Sequence, residues 1–196
     1  MKNKLSLLLI IIFALSVVSA EIPALDQWNK FSHTPASREL LVWLKKCAFR
    51  SLNGETADPA FQFELPELSG RAGMFITLVR RGKVRGCYGA FDHEPASTKE
   101  IFLQYLRGAL YLDPRYRPIE SAELEDTEII VTLTSYPEPV DDPNNIDIAL
   151  FGMFIECDDQ PGRVIVPAEF RTLSRVTALA EKNDCRYSKF RAVTIR

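Results

Sequence analysis

Apolar and polar positions along this 196-residue chain follow first a helical period and then a strand period, and the switches mark its elements. From Ser37 onward, Leu40, Leu41, Leu44 and Ala48 fall on one helical face. The spacing predicts a helix capped by Ser37 and stopped near Asn53-Gly54. Residues 21–36 carry prolines without a period and read as a lead-in, and residues 54–70 as an extended connector. From Met74, MFITLVRRGKVRGCYG changes to alternation and predicts a β-hairpin.

Two registers compete for that hairpin. A two-residue loop, Arg81-Gly82, sets Arg80, Lys83 and Arg85 on the face that carries Met74, Ile76 and Leu78. A three-residue loop, Arg80-Arg81-Gly82, places Gly82 in the left-handed position of a G1 bulge. It pairs Val79 with Lys83 and Thr77 with Arg85. One face then reads Met74, Ile76, Leu78, Val84, Gly86, Tyr88, and the other Phe75, Thr77, Val79, Lys83, Arg85, Cys87. The second register keeps the apolar face coherent and is the one expected, since a one-residue slip inverts every side chain.

Downstream, Ser97 or Thr98 caps a helix with the stripe Ile101, Phe102, Tyr105, Ala109, Leu112, which Pro114 forces to end before DPRYRP. Residues 127–140 form one strand rich in β-branched residues. A second hairpin turns around Asp158 to Gly162, and residues 170–183 form a last amphipathic helix. Helices and hairpins alternate irregularly, so the expected class is α+β with a largely antiparallel sheet flanked by helices.

The N-terminus changes the picture of compartment. Lys2 and Lys4 precede an uncharged apolar run, Leu5 to Val18, and Val18-Ser19-Ala20 supplies small residues before Glu21. This is the pattern of a cleavable signal peptide, residues 1–20, and implies a secreted or periplasmic protein. The run rises about 21 Å as a helix, short of a hydrocarbon core of roughly 30 Å, so no stable membrane anchor is expected after cleavage. The whole chain holds 24 basic and 26 acidic residues, a formal charge of −2, which argues against binding nucleic acid through a basic face. His33 and His93 lack metal-ligand spacing and no C-x-x-C pair occurs, so no metal or cofactor is expected.

VRGCYG resembles the Leu-Arg-Gly-Cys-Ile-Gly signature of the AMMECR domain family, named for the Alport-syndrome, midface-hypoplasia and elliptocytosis chromosomal region. AGMFITLVRRGKVRGCYGAF is similar to that family's hairpin, LRGALYLDPRYRP to its helix ending in Asp-Pro-Arg-Phe-x-Pro, and DTEIIVTLTSYPEPV to the strand that follows. The resemblance spans residues 37–196, which it marks as one AMMECR-type domain. It implies an antiparallel sheet flanked by helices with a smaller subdomain, and a link to Memo-like and radical-SAM proteins, with no agreed reaction. It maps the signature onto Arg85, Gly86, Cys87 and Gly89, and the second block onto Asp113, Arg115, Tyr116 and Pro118. Two stretches differ from the family pattern: Ala149-Leu150-Phe151-Gly152 replaces a Gly-Lys-His-Gly-like turn, and Val166-Pro167-Ala168-Glu169 replaces Leu-Pro-Gln-Val. Relatives in reducing cytosol carry the equivalent of Cys87 unbridged. That leaves Cys47, Cys157 and Cys185, of which Cys157–Cys185 is the expected disulfide.

Two functions from different classes fit these residues. In the first, Arg85, Gly86, Gly89, Asp113 and Arg115 line a cleft that holds a small anionic ligand or a partner peptide. In the second, Cys87 is a catalytic nucleophile or group carrier, its thiolate favoured by Arg85 and Lys83 and its proton taken by His93, the nearest candidate base. Each residue also has a plain packing role: Cys87 as a small buried side chain, Asp113 as a turn acceptor pinned by Arg115, and the basic cluster as a solvated hairpin tip.

Overall fold

The computed structural model describes residues 24–55, 59–68, 72–94, 96–143, 146–158, 160–169 and 185–196. The signal segment and the expected last helix lie outside them. Helix α1 covers residues 24–32, α2 Pro35–Leu52, α3 Thr98–Tyr111 and the short α4 Ser121–Leu124. The strands are β1 Gly73–Arg80, β2 Lys83–Ala90, β3 Thr127–Thr134, β4 Glu138–Val140, β5 Phe151–Cys157, β6 Gln160–Ile165 and β7 Arg186–Ile195. They form one sheet in the order β2-β1-β3-β7-β5-β6, with β4 also on β7, and every described pairing is antiparallel.

Helix α1 corrects the lead-in reading of residues 21–36. Ala24, Leu25, Trp28 and Phe31 are spaced to share a helical face, and all four are buried. Trp28 meets Phe102 edge-on, ring centres 5.9 Å apart. Helix α2 begins two residues before Ser37, with Thr34 as N-cap and Pro35 in the first turn, where its missing N–H breaks no bond. The Ser37 hydroxyl instead donates to the Thr34 carbonyl at 2.7 Å. At α3 the expected Ser97 cap is present, and Glu100 reciprocates it to close a capping box. Leu112 falls at the C-cap and is 63% exposed, so it is not part of the core stripe.

One sheet face, carrying Met74, Ile76, Leu78, Ile129, Val131, Leu133 and Ile195, packs against Leu40, Leu44, Phe102 and Leu106 of the helices. The opposite face of β1 and β2 carries Phe75, Thr77 and Cys87. There Phe75 joins Val166 and Phe190, with Phe91, Phe154 and Val164 packed beside them, so the sheet curls and its far strands cover this face. Phe91 is the hub, with ring centres 5.2 Å from Phe75 and 5.1 Å from Phe190. The described strand β7 makes the curl possible. Its end, Ala192 to Ile195, pairs with β3, and its beginning, Arg186 to Arg191, pairs with β5.

The hairpin differs from the expected register. Arg80 pairs with Lys83 and Val79 with Val84, leaving the two-residue turn Arg81-Gly82, both left-handed at φ 50° and 70°. A bulge then absorbs Arg85, and the pairing resumes as Leu78 with Gly86 and Thr77 with Cys87. The bulge reconciles the two alternatives. The tip follows the short loop, while residues 86–90 keep the faces predicted from the longer one. The strand expected over residues 127–140 also breaks in two. Pro137 has no N–H to offer a ladder, and the Ser135 hydroxyl accepts the Arg191 N–H at 3.0 Å between β3 and β4.

Candidate functional site

Cys87 sits where β2 passes the turn that follows α3. Its backbone N–H, on the outer edge of the sheet, donates to Asp113 Oδ2 at 2.7 Å. Pro114 ends α3 and leaves Asp113 in the turn, where its carboxylate takes two bonds from the Arg115 guanidinium, 3.0 Å at Nε and 2.9 Å at Nη2, and a third from the Arg115 N–H. Arg115 Nη2 also reaches Glu169 at 3.1 Å, on the 3-10 turn Pro167–Glu169 after β6. The cluster is therefore Cys87, Asp113, Arg115 and Glu169, and it ties the first hairpin to the second.

Glu169 is the member that the sequence reading did not single out. Its only signal was the departure at Val166-Pro167-Ala168-Glu169, which gave no reason to place a carboxylate beside Cys87. Pairing through β7 brings the two together.

The thiol is not activated. Burial, then the Glu169 carboxylate, push the Cys87 pKa up to about 12, and the Thr77 hydroxyl and Arg115 oppose this only in part. Thr77 Oγ1 lies 3.3 Å from the sulfur. Burial also raises Glu169 above the ordinary carboxylate range despite Arg115. At Asp113 burial pushes upward too, but the Arg115 and Cys87 hydrogen bonds outweigh it and hold the carboxyl below that range.

His93 is not placed as the base for Cys87. Its Nε2 donates to the Ala72 carbonyl and its Nδ1 accepts from the Tyr105 hydroxyl, each at 2.7 Å. Burial lowers its pKa, which suits a neutral ring with both nitrogens engaged.

Arg85 is also elsewhere. The bulge turns it to the helix side of the sheet, where Nε and Nη2 grip Glu123 at 3.0 and 2.8 Å, Nη1 donates to the Arg117 carbonyl and Nη2 also donates to the Pro118 carbonyl. Arg80 meets the same carboxylate at 2.9 Å. The expected row of Lys83, Arg85 and Cys87 on one strand face does not form. Gly86 is taken up by packing, since a Cβ there would collide with the Ala109 carbonyl of α3. A Cβ on Gly89 would meet the Met74 carbonyl across the hairpin. Both glycines admit neighbouring backbone, not an open cleft. Of the six expected site residues, Cys87, Asp113 and Arg115 come together.

What stays open to solvent is the outer side of Arg115. Its guanidinium carbon lies 5.5 Å from the Tyr116 ring centre, Tyr116 is 38% exposed, and Nη1 has no partner among the described residues. Exposed Leu112 precedes the turn.

The AMMECR1 family model matches residues 45–193, which include every member of this cluster. The chain belongs to the AMMECR1 family. A protein of Thermococcus onnurineus is 28% identical over 160 residues, covering 74% of this chain and 72% of the relative. One of Methanothermobacter thermautotrophicus is 30% identical over 103 residues, 47% of this chain and 52% of the relative, so the match spans about half of that protein's length. The crystal structure of an uncharacterized protein from Pyrococcus horikoshii superposes with a TM-score of 0.60 at 20% identity, covering 79% of this chain and 88% of that one. These relatives carry generic names, so AMMECR1 membership brings the fold and no reaction with it.

Proposed function

We propose that this AMMECR1-family chain is an exported binding module, and that a partner polypeptide docks on the outer side of the Arg115 cluster. The carrying observation is that Asp113 fixes Arg115 between Cys87 and Glu169 while Nη1, the Tyr116 ring and Leu112 face outward. Arg and Tyr are both among the residue types enriched at interface hot spots. A peptide fits this surface better than a small anion, because both expected guanidinium groups already face carboxylates, Arg85 on Glu123 and Arg115 on Asp113 and Glu169.

Export is supported by the signal-peptide pattern of residues 1–20 and by the Cys157–Cys185 bond, which suits an oxidising compartment. N-terminal sequencing of the exported material is expected to begin at Glu21, and material beginning at Met1 would refute cleavage.

Binding and thiol catalysis separate by alkylation. Iodoacetamide at pH 7 is expected to modify native Cys87 slowly, because burial and Glu169 keep the thiol protonated. Rapid stoichiometric labelling of Cys87 alone would replace the binding reading by the nucleophile one. A photo-crosslinking residue at Leu112 is expected to capture a polypeptide only while Arg115 is intact. The same label at Leu150, exposed in the other half of the sheet, serves as the control.

A further inference from the structure

A second concave surface lies away from the Cys87 cluster. Between α2, the connector at Pro59 and the end of α4 there is a cavity of about 370 Å³, within the range of small-ligand sites. Phe49 and Leu124 supply its apolar wall together with Pro59. Phe49 is 49% exposed, although its α2 neighbours Cys47 and Ala48 are buried, so an aromatic ring is left facing water at the cavity mouth.

The cations around it are arranged unevenly. Arg50 is turned away to Glu55, 2.8 Å distant. Lys45 Nζ reaches inward and donates to the carbonyls of Leu124 and Thr127. An ammonium has three donors, and no acceptor among the described residues takes the third. Lys46, exposed on α2, also lines the cavity. Glu125 lines the cavity as well and places a single negative charge on its border.

We propose that this cavity binds a small amphipathic monocarboxylate, its apolar body against Phe49, Pro59 and Leu124 and its carboxylate on Lys45 and Lys46. The ammonium groups complement one negative charge, and Glu125 disfavours a second, so a carboxylate is selected over a phosphate dianion. Burial lowers the Lys45 pKa, with Asp126 and Glu125 acting against it, and a bound carboxylate would act in the same direction as those two, in favour of the ammonium.

The test is titration of the complete mature chain with octanoate, octan-1-ol and octyl phosphate, followed by amide NMR shifts and calorimetry. Octanoate is expected to bind about tenfold or more tighter than the alcohol, and tighter than the phosphate, with shifts centred on Lys45, Phe49 and Leu124. Phe49→Ala, which removes a half-exposed ring and leaves the core intact, is expected to weaken octanoate about fivefold or more. Lys45→Met is expected to abolish the preference for acid over alcohol. Should that variant fail to fold, Lys46→Gln is expected to reduce the same preference. Equal binding of acid and alcohol, tighter binding of octyl phosphate, an unchanged affinity in Phe49→Ala, or shifts centred on Arg115 would each overturn the proposal.

Discussion

The two halves of the sheet hold together by different means. Strands β1, β2 and β3 rest on a broad apolar layer that includes Trp28, Leu44, Phe102, Met74 and Leu133. Among the described residues, strands β5 and β6 and the start of β7 also carry a smaller separate cluster of Ile146, Met153, Ile155 and Ile165. There the Cys157–Cys185 bond joins the end of β5 to the start of β7. A small apolar core removes too little surface from water to offset chain entropy, and a covalent link that restricts the unfolded chain makes up the difference. Charge divides the same way. Arg85 and Glu123 pair wholly within the first half, whereas Arg115 bridges to Glu169 beyond β6.

The strongest way to break the contrast is to remove the bond. Cys157 and Cys185 are 28 residues apart, so opening the loop is expected to cost about 3.5 kcal/mol in stability. Reduction, or the double change to Ser, should accelerate hydrogen exchange in β5 and β6 first and leave the amides of β1 and β3 protected. Uniform loss of protection in both halves would show that they unfold as one unit and that the contrast is not thermodynamic.

The first half was also the more legible in sequence. Its helices carry apolar residues at helical spacing, and β1 alternates clearly, so local pattern and tertiary role agree. In the second half the hairpin of β5 and β6 and its bridging cysteines were readable. Strand β7 was not expected, although RYSKFRAVTI alternates Lys189 and Arg191 with Phe190 as a half-buried strand does. That strand aligns the halves and brings Glu169 to Cys87, so the candidate site was readable in its local members and not in its distant one. Helix α1 was missed for a simpler reason: its stripe is only two turns long. The Arg85 error came from a bulge, which one strand's pattern does not announce.

Next in size is Asp113→Ala. It strips the Cys87 N–H of its acceptor and leaves Arg115 with Glu169 alone, and the expected loss is about 3 kcal/mol in urea unfolding. Asp113→Asn keeps a carbonyl for Cys87 and should lose roughly half as much. Glu169→Gln tests the bridge between the halves. Arg115 keeps Asp113, so about 1 kcal/mol is expected. A Glu169 effect as large as that of Asp113 would mean that the bridge, not the turn, is the anchor.

Acid should distinguish the two carboxylates by sign. Hydrogen bonds from Arg85, followed by other contacts, pull Glu123 down to about 2, below its ordinary 4.5. A depressed carboxyl contributes stability that is complete above its unfolded pKa and is lost as pH falls through the folded one, here from 4.5 towards 2. Glu169 is raised by burial, so its folded form holds the proton more tightly and stability falls as pH climbs from 4.5 to its folded pKa. Urea midpoints measured down the pH scale should lose the first slope in Glu123→Gln and the second in Glu169→Gln. Loss of the same slope in both variants would contradict the assignment.

The smallest expected effect sits at the tip of the first hairpin, and it sharpens the account of why Arg85 and Cys87 part. Arg81 is the one non-glycine residue with positive φ among the described residues, at 50°, followed by Gly82 at 70°. Side chains other than Asn and Asp tolerate the left-handed region poorly, and a turn left-handed at both central positions favours Asn-Gly. Arg81→Asn is therefore expected to stabilise the protein by about 0.5 kcal/mol, even though it removes the exposed Arg81–Asp126 pair, which contributes little. Gly82→Ala is expected to destabilise it by about 1 kcal/mol. The two substitutions together discriminate between loops. A three-residue G1 loop would require a left-handed residue only at Gly82, so Arg81→Asn would be neutral there while Gly82→Ala still destabilised. Stabilisation by Arg81→Asn would identify the two-residue turn, and that turn requires the downstream bulge that sends Arg85 to Glu123 and leaves Cys87 facing Thr77.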